Sequence, residues 1–239
     1  LQRFKLPRYI GVYTIKITMC GIFGSNNIKT FRELCTKNSE RGNFVRSVTM
    51  LFPGGMKNDL RVATKYEQDF DKHIEENPFC IYYLGHVQSP TSSIREFHIE
   101  TSHPFNLKNK YIAHNGVLSN HEELIQEYNL NIKSKIDSNV ILPLIEKIGF
   151  NDAISALQGT FGCWYYDAEN GCLRIFRSGS TVFFNAGDFS SAQPETDHER
   201  VNNLGYKYIN EGDILEYNFT NNTFNKIEEF ELNTAPFFL

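Results

Sequence analysis

The sequence predicts an α+β fold, in which helices pack against antiparallel sheets. Strand-like runs recur through the first half of the chain and return after residue 159, and amphipathic helical segments cluster between the two groups. The chain has 239 residues, of which 41% are hydrophobic and 22% are charged, a balance that is ordinary for a globular protein with a buried core. No internal repeat and no second domain is visible.

Four runs in the first half have the apolar and aromatic content of strands: Cys20–Ser25, Ser47–Phe52, Phe79–Val87 and Lys110–His114. Between the first two runs, Asn27 can cap a short helix whose apolar residues share one face. Pro53-Gly54-Gly55 ends the second run, because this sequence breaks regular structure. The polar stretch 57–77 has little periodicity, and we expect a surface excursion there.

Three helices are predicted in the middle of the chain. Asn120 and Glu123 have the spacing of a capping box at the start of the first helix. Ser138 can cap the second helix, and the third runs from Asn151 to Leu157 and stops at Gly159. These helices form the cluster that separates the two groups of strands.

The second half predicts a hairpin and several further strands. Thr160–Asp167 and Cys172–Arg177 flank the turn Ala168-Glu169-Asn170-Gly171. Four later runs also have strand character: Val182–Asn185, Tyr206–Ile209, Asp213–Tyr217 and Phe224–Leu232.

Charge and cysteine content exclude several classes of protein. The net charge of -4 does not suggest binding to nucleic acid or to a membrane surface. No apolar run approaches the ~20 residues of a membrane span. The five cysteines are odd in number and include no C-x-x-C pair, which argues against a disulfide framework and a zinc site. We therefore expect no metal, no cofactor and a cytoplasmic location.

The first 18 residues differ from the rest, since they are basic and lack any acidic residue. They also lack the apolar core and cleavage site of a secretory signal. Three alternatives stay open: a propeptide, upstream translated sequence with Met19 as the initiator, or an additional strand. We favour the first two, and so divide the chain into a leader at 1–19 and a single domain at 20–239.

Cys20 is the strongest candidate nucleophile. If it became the first residue of the mature chain, its thiol and its α-amino group would sit on the same carbon. The α-amine titrates at about 7.7–8.0, close to the pH at which a general base works well. A buried cysteine in a strand is the commoner fate of this residue type, so Cys20 alone does not establish chemistry.

Further polar residues stand at strand ends and helix starts. Each has an ordinary explanation when taken alone, such as a turn for Asn115-Gly116 or a cap for Asp137. Together with Cys20 they form an ordered set: Cys20-Gly21-Ile22-Phe23-Gly24, Arg41-Gly42, Gly85-His86-Val87, Ala113-His114-Asn115-Gly116, Asn120-His121-Glu122-Glu123-Leu124 and Asp137. Three more motifs follow in the second half: Leu157-x-Gly159-Thr160-Phe161-Gly162, Arg177-Ser178-Gly179-Ser180 and Glu211-Gly212-Asp213-Ile214.

This set resembles the class II glutamine amidotransferase domain, an N-terminal-nucleophile hydrolase, as found in the glutaminase half of glucosamine-6-phosphate synthase and its relatives. The resemblance covers nearly all of 20–232. It implies a four-layer αββα sandwich of two antiparallel sheets between helices. It also implies hydrolysis of the side-chain amide of glutamine through a cysteinyl thioester, which yields glutamate and ammonia.

The resemblance also implies roles for individual residues. Cys20 is the nucleophile, and its own α-amine is the base. The side chain of Asn115 and the backbone N–H of Gly116 form the oxyanion hole. Asp137 pairs with the α-ammonium group of the substrate, and Arg41 organises the nucleophile strand. The implied substrate-binding residues are Arg41, Val87, Gln88, Thr91, His114 and Asp137.

Gln88 is the main departure from the family pattern, which usually has Arg there to clamp the substrate α-carboxylate. A neutral amide cannot replace that charge. Loss of a charge-assisted hydrogen bond costs roughly 1.5–3 kcal/mol, or about 10- to 100-fold in affinity, if nothing compensates. Arg95 is a candidate for such compensation. Otherwise the substrate is a different amide or glutamine binds weakly.

The ammonia acceptor is open at this stage. The chain contains no G-x-G-x-x-G motif and no P-loop that would mark a phosphate-binding acceptor domain. Either ammonia passes to an acceptor enzyme on a separate chain, or the protein is a free-standing amide hydrolase. A different class also remains, namely a catalytically silent module that keeps the fold, given Gln88 and the residues before Cys20.

Overall fold

The computed structural model describes residues 19–55, 57–89, 101–132, 136–195 and 198–233. Thirteen strands fall within these residues: β1 (Gly21–Ser25), β2 (Val45–Leu51), β3 (Lys57–Ala63), β4 (Tyr82–Gln88), β5 (Phe105–Leu107), β6 (Lys110–Leu118), β7 (Gly159–Asp167), β8 (Cys172–Ser178), β9 (Phe183–Phe184), β10 (Asp188–Ser190), β11 (Lys207–Tyr208), β12 (Asp213–Asn218) and β13 (Thr223–Glu229). Six α-helices accompany them in the same described ranges: α1 (Ile28–Ser39), α2 (Glu67–Glu75), α3 (His121–Glu127), α4 (Ile141–Ile148), α5 (Phe150–Ala156) and α6 (His198–Asn203).

The strands form two antiparallel sheets. The first sheet has seven strands in the order β11-β9-β10-β1-β4-β2-β3, so β1 lies near its centre. The second has six strands in the order β13-β12-β8-β7-β6-β5. Because β1 has a hydrogen-bonded neighbour on each side, the strand that follows Cys20 is held at both edges.

Three apolar clusters separate the layers. One lies between the two sheets and includes Ile22 and Trp164. A second lies between the first sheet and the helices α1 and α2 and includes Phe23. The third lies between the second sheet and the helices α3 to α5 and includes Ile112. The layers therefore run helix, sheet, sheet, helix, and the α+β prediction with its αββα sandwich is confirmed.

The stretch 57–77 differs from the expected surface excursion, because it contains strand β3 and helix α2. Strand β3 is at the edge of the first sheet, where one side has no strand partner and polar residues are tolerated. Helix α2 is anchored by Phe70 and Ile74, which lie four residues apart on one face and pack in the outer cluster. These two apolar residues, among many charged ones, were too weak a pattern to predict the helix from the sequence.

Two local details also differ from or refine the sequence-based expectations. Asn120 precedes α3 but does not cap it with its side chain. Instead, its Nδ2 donates to the carbonyl oxygen of Ala156 at 2.9 Å, and its Oδ1 accepts from the backbone N–H of Gln158 at 3.0 Å. The hairpin of β7 and β8 is present as predicted, and none of the five cysteines, all of which the structure describes, is in a disulfide.

Several predictions concern residues outside the described ranges, namely residues 1–18 of the leader, Thr91 and Arg95. Among the helices that the structure describes, none has the length and apolar character that crossing a bilayer requires.

Candidate active site

Cys20 lies immediately before β1 and is partly buried. Successive residues of a strand point to opposite faces of the sheet. Ile22 packs in the cluster between the sheets, whereas Phe23 packs in the outer cluster. Since Cys20 is two residues before Ile22, the alternation directs its side chain toward the second sheet.

Side-chain contacts fix the second sheet opposite this end of β1. Trp164 donates from Nε1 to the carbonyl oxygen of Gly85 at 3.1 Å. Gly162 pairs with Asn115 in the ladder between β6 and β7, and an added Cβ at Gly162 would lie 3.8 Å from Cδ1 of Ile22. Ile22 therefore faces the part of the second sheet that carries Asn115.

Asn115 and Gly116 lie near the end of β6. Tyr111 and Ala113 pack between the sheets, so alternation points the Asn115 side chain in the same direction. The amide is buried, and its Oδ1 has no hydrogen-bond partner. The carbonyl oxygen of Asn115 accepts from Oγ of Ser180 at 3.1 Å, which fixes the backbone at this position.

Gly116 adopts a conformation that requires glycine. Its φ is 148°, and a Cβ at this position would overlap the backbone carbonyl of Thr160 on the neighbouring strand. The close approach of the two strands thus depends on the absence of a side chain. Gly116 itself is exposed to solvent.

Gln88 ends β4 and belongs to the same region. Gly21 pairs with Val87 in the antiparallel ladder between β1 and β4. Continuation of that register by one residue would place Cys20 opposite Gln88. The Gln88 side chain is only 3% exposed, and its Nε2 donates to the carbonyl oxygen of Thr101 at 3.3 Å. Its Oε1 is buried without a hydrogen-bond partner. The residue is therefore a neutral amide with one unused acceptor.

Asp137 and Ser138 begin the turn that leads into α4. Asp137 accepts from the backbone N–H of Leu118 at 2.8 Å through Oδ2 and from that of Ser138 at 2.8 Å through Oδ1. The Oγ of Ser138 lies 2.7 Å from Nδ1 of His114. These bonds attach the turn to the end of β6, where Asn115 and Gly116 are located.

Two buried histidines lie beneath the site. His86 donates from Nε2 to the carbonyl oxygen of His114 at 3.3 Å, which links β4 to β6. Burial lowers the pKa of His86 to about 3. Burial also lowers the pKa of His114, although the nearby Asp137 opposes the shift. Both rings are therefore neutral near pH 7.

Arg41 lies beside Cys20 and Met19. Its Nη1 donates to the carbonyl oxygen of Ser191, and the Arg41 carbonyl oxygen accepts from the backbone N–H of Met19 at 3.0 Å. Burial lowers the pKa of the Arg41 guanidinium, and the charge of the Cys20 thiolate opposes that shift. The same interaction acts in the other direction, since a neighbouring cation stabilises a thiolate.

A cavity of about 870 Å³ adjoins these residues. It is bordered by Met19 and Arg41 at the start of β1, by Thr160 and Ser180 beside Asn115 and Gly116, and by Ser191. Its lining thus combines both sheets. Of the predicted site residues that the structure describes, Arg41 is in this lining, whereas Cys20, Asn115 and Gly116 are next to lining residues and not in it.

The predicted site residues do not all present side chains to this region. Cys20, Gln88 and Asn115 point into the space between the sheets, and Asp137 borders the end of β6. The Val87 side chain is buried in the outer cluster, so only its backbone could contact a ligand. The His114 ring is directed toward Ser138, and Thr91 lies outside the described residues.

Sequence reasoning missed two residues of this region, Asn38 and Ser191. Both are buried and hydrogen-bonded next to β1. Neither residue belongs to a recognisable motif, and in the sequence Asn38 has the pattern of an ordinary polar residue near a helix end. Only the packing of α1 on β10 brings them together. Among the described residues, no group of His, Cys, Asp and Glu is arranged to bind a metal ion.

Known proteins resemble the chain in sequence and in fold. A glutamine amidotransferase domain family matches residues 98–186. The glutamine–fructose-6-phosphate aminotransferase of Oceanobacillus iheyensis is 27% identical over 189 residues, which cover 71% of this chain and 31% of that protein. The 7-cyano-7-deazaguanine synthase 2 of Sulfurisphaera tokodaii is 31% identical over 85 residues, which cover 36% of this chain and 18% of that protein. The chain therefore spans less than a third of the length of these relatives.

Two solved structures share the fold. A glutamine phosphoribosylpyrophosphate amidotransferase from B. subtilis has a TM-score of 0.67 at 16% identity, with 87% of this chain and 49% of that chain covered. An allosteric regulatory enzyme of purine biosynthesis has a TM-score of 0.70 at 18% identity, with coverages of 90% and 50%. Residues 98–186 therefore match a glutamine amidotransferase domain, the sequence similarity to the first relative extends beyond them, and the chain shares its fold with the two solved structures.

Proposed function

We propose that the protein hydrolyses the side-chain amide of glutamine and releases glutamate and ammonia. The Cys20 sulfur attacks the amide carbon, and the thiol proton passes through the α-amine of Cys20 to the departing nitrogen. This forms a γ-glutamyl thioester and frees ammonia. Water then attacks the thioester, which restores the thiol and gives glutamate.

One observation carries the proposal. Cys20 stands directly before the central strand β1, on the face that is turned toward Asn115, and beside the Arg41 guanidinium. In this proposal, Cys20 is a nucleophile whose position is fixed by β1, and the Arg41 cation favours its thiolate. The hydrogen-bond donors for the reacting carbonyl come from the end of β6, which carries Asn115. The cavity of about 870 Å³ beside them has room for an amino acid.

Asn115 and Gly116 are the donors that we assign to the oxyanion. The side chain of Asn115 points into the space between the sheets, and the Gly116 backbone is exposed and fixed by its close contact with Thr160. Preorganised donors of this kind contribute most when negative charge develops on oxygen. Removal of one such donor typically costs about 2.7–4 kcal/mol of transition-state stabilisation.

The α-amine is the base that we assign, because it lies on the same residue as the thiol, whereas His86 and His114 have other partners. His86 donates to a backbone carbonyl, and His114 contacts Ser138. An amine can act as a base only when it is not part of a peptide bond. The proposal therefore requires that Cys20 be the first residue of the active chain, and it extends the domain over 20–239.

The deciding experiment measures glutamate and ammonia release from glutamine by a chain that begins at Cys20. We expect turnover by this chain and none by the Cys20→Ala variant. A matched chain that retains residues 1–19 controls for the free amine, and we expect no turnover from it. If the chain that begins at Cys20 is folded and releases neither product, glutamine hydrolysis is excluded.

Gln88 favours a second candidate, a module whose substrate is altered or whose catalysis is lost. The buried neutral amide offers no charge to a carboxylate. Assays with asparagine and with simple primary amides, in parallel with glutamine, separate the alternatives. Faster release of ammonia from an amide without an α-carboxylate indicates an altered substrate, and no release from any amide by a folded chain indicates a silent module.

We also propose that the ammonia is used by an acceptor enzyme on a separate chain. The relative from Oceanobacillus iheyensis is named as a glutamine–fructose-6-phosphate aminotransferase, and an aminotransferase activity supports transfer of the nitrogen. Affinity purification from the native host, followed by mass spectrometry, identifies the acceptor chain. The cytoplasm is the location that we propose, and it is supported by five cysteines that form no disulfide in the described part of the chain.

A further inference from the structure

Ser191 links three parts of the molecule at the start of β1. Its backbone N–H donates to the carbonyl oxygen of Ile22 at 2.8 Å, and its Oγ accepts from the backbone N–H of Ile22 at 2.9 Å. Its carbonyl oxygen accepts from Nη1 of Arg41. One residue thus holds both the strand two positions after Cys20 and the cation beside Cys20.

Asn38 fixes Ser191 from the other side. It is fully buried near the end of α1, and its Oδ1 accepts from Oγ of Ser191 at 3.0 Å and from the backbone N–H of Ala192 at 3.1 Å. Its Nδ2 donates to the carbonyl oxygen of Leu34 at 2.8 Å and to Oγ of Ser190 at 2.9 Å. Both donors and both acceptor positions of the amide are therefore used, which leaves it one orientation.

We propose that Ser191, oriented by Asn38, is a positioning residue for the nucleophile Cys20. The Ser191 hydroxyl donates its proton to Asn38. Its oxygen is therefore oriented with a lone pair toward the Ile22 N–H, from which it accepts. This hydrogen bond adds to the strand ladder and restrains the backbone next to the thiol. Buried hydrogen bonds of this kind are costly to break, because the backbone N–H is then left without a partner.

The effect on the reaction follows from orientation. A nucleophile must be held close to its target at a defined angle, and a displacement of about 1 Å can cost as much as 100-fold in rate. Ser191 does not touch the reacting atoms through its hydroxyl, so it acts through the position of Cys20. This inference rests on the proposed glutamine hydrolysis for its kinetic consequence.

Ser190 provides a matched control. It is buried like Ser191, and its hydroxyl also bonds to Asn38, but its Oγ donates to the carbonyl oxygen of Ala192 at 2.7 Å and does not bond to β1. Ser190→Ala and Ser191→Ala therefore remove the same atoms and similar numbers of hydrogen bonds. Of the two variants, Ser191→Ala removes the hydrogen bond from the backbone N–H of Ile22 to the side chain, and Ser190→Ala does not.

The test combines kinetics with a measurement that does not depend on activity. In chains that begin at Cys20, we expect Ser191→Ala to lower kcat at least fivefold with KM within twofold, whereas Ser190→Ala stays within twofold on both. In the full chain, we expect iodoacetamide to alkylate Cys20 at least twofold faster in Ser191→Ala than in Ser190→Ala, because a loosened strand exposes the thiol more often. Peptide mass mapping assigns the modified residue.

The two readouts distinguish the failures. If the chain that begins at Cys20 has no turnover, the proposed function fails, and the alkylation rates still judge the link through Ser191. Equal alkylation rates and equal kcat values for the two variants overturn the positioning role. Ser191→Thr, which retains the hydroxyl, should restore the rate of Cys20 alkylation to within twofold of that of the unmodified chain.

Discussion

Leu118 donates its backbone N–H to Oδ2 of Asp137 at 2.8 Å, so the carboxylate is fixed at the end of the strand that carries Asn115 and Gly116. The remaining lone pairs of this carboxylate are where we expect the substrate α-ammonium to bind. A substitution at Asp137 therefore separates binding from chemistry.

Asp137→Asn removes the charge and retains an oxygen that can accept from Leu118. We expect KM for glutamine to rise about 10- to 100-fold, which corresponds to the roughly 1.5–3 kcal/mol of a charge-assisted hydrogen bond, and kcat to fall much less. Steady-state kinetics on chains that begin at Cys20 measure both values. A fall in kcat with an unchanged KM would place Asp137 outside the substrate-binding group.

Gly116→Ala tests the backbone geometry of the assigned oxyanion hole. The added Cβ would overlap the carbonyl of Thr160 and would also have to adopt a φ of 148°. We expect a loss of stability greater than the roughly 1–3 kcal/mol of an unfavourable backbone conformation alone. Urea unfolding measures the difference.

Gly171→Ala is the control for Gly116→Ala. Gly171 has a φ of 62°, and a Cβ there would meet nothing within 4 Å. It therefore carries the cost of the backbone conformation without the overlap, and we expect a smaller loss of stability and no loss of glutamine hydrolysis. Equal losses for the two variants would show that the contact with Thr160 is not tight.

The sequence predicted the parts of the site that stand in local patterns and missed those that depend on packing. Cys20 before a strand, Asn115-Gly116 at a strand end and Asp137 at a helix start are each visible within a few residues. Ser191 has no such pattern, because its role depends on two hydrogen bonds to Ile22, 169 residues away along the chain.

The fold shows the same division. The strands β4, β6, β7 and β8 were predictable because burial makes their sequences strongly apolar. Strand β3 was not, since an edge strand with one exposed face carries charges such as Lys57 and Asp59 that resemble a loop. Asn120 bonds to Ala156 at the end of α5 and does not cap α3. The residues around Asn120 in the sequence do not indicate where α5 ends, so this bond was not predictable from them.

Gln88→Arg tests whether the substrate carboxylate is bound at the end of β4. The introduced guanidinium would supply the missing charge, and we expect KM for glutamine to fall about tenfold or more. Gln88→Met is the control, because it fills a similar volume and removes the hydrogen bond to Thr101 without adding charge. An unchanged KM in Gln88→Arg indicates that another residue holds the carboxylate.

The last prediction concerns pH. Burial lowers the pKa of His86 to about 3 and also lowers that of His114, while an unfolded chain has a histidine pKa near 6.5. The unfolded state thus binds more protons between these values, so the stabilisation is complete above about pH 6.5 and is lost as the pH falls toward the folded pKa. Each histidine contributes a slope of up to about 1.4 kcal/mol per pH unit.

Urea unfolding between pH 6.5 and 5 measures this slope above the range in which most carboxylates titrate. We expect His86→Gln, which retains a donor for the His114 carbonyl, to reduce the slope by up to about 1.4 kcal/mol per pH unit. His121→Gln is the control, since His121 is partly exposed at the start of α3 and bonds only locally to Leu118. A slope in His86→Gln equal to that of the unmodified chain would mean that His86 is protonated without unfolding, and that the link between β4 and β6 tolerates a charged ring.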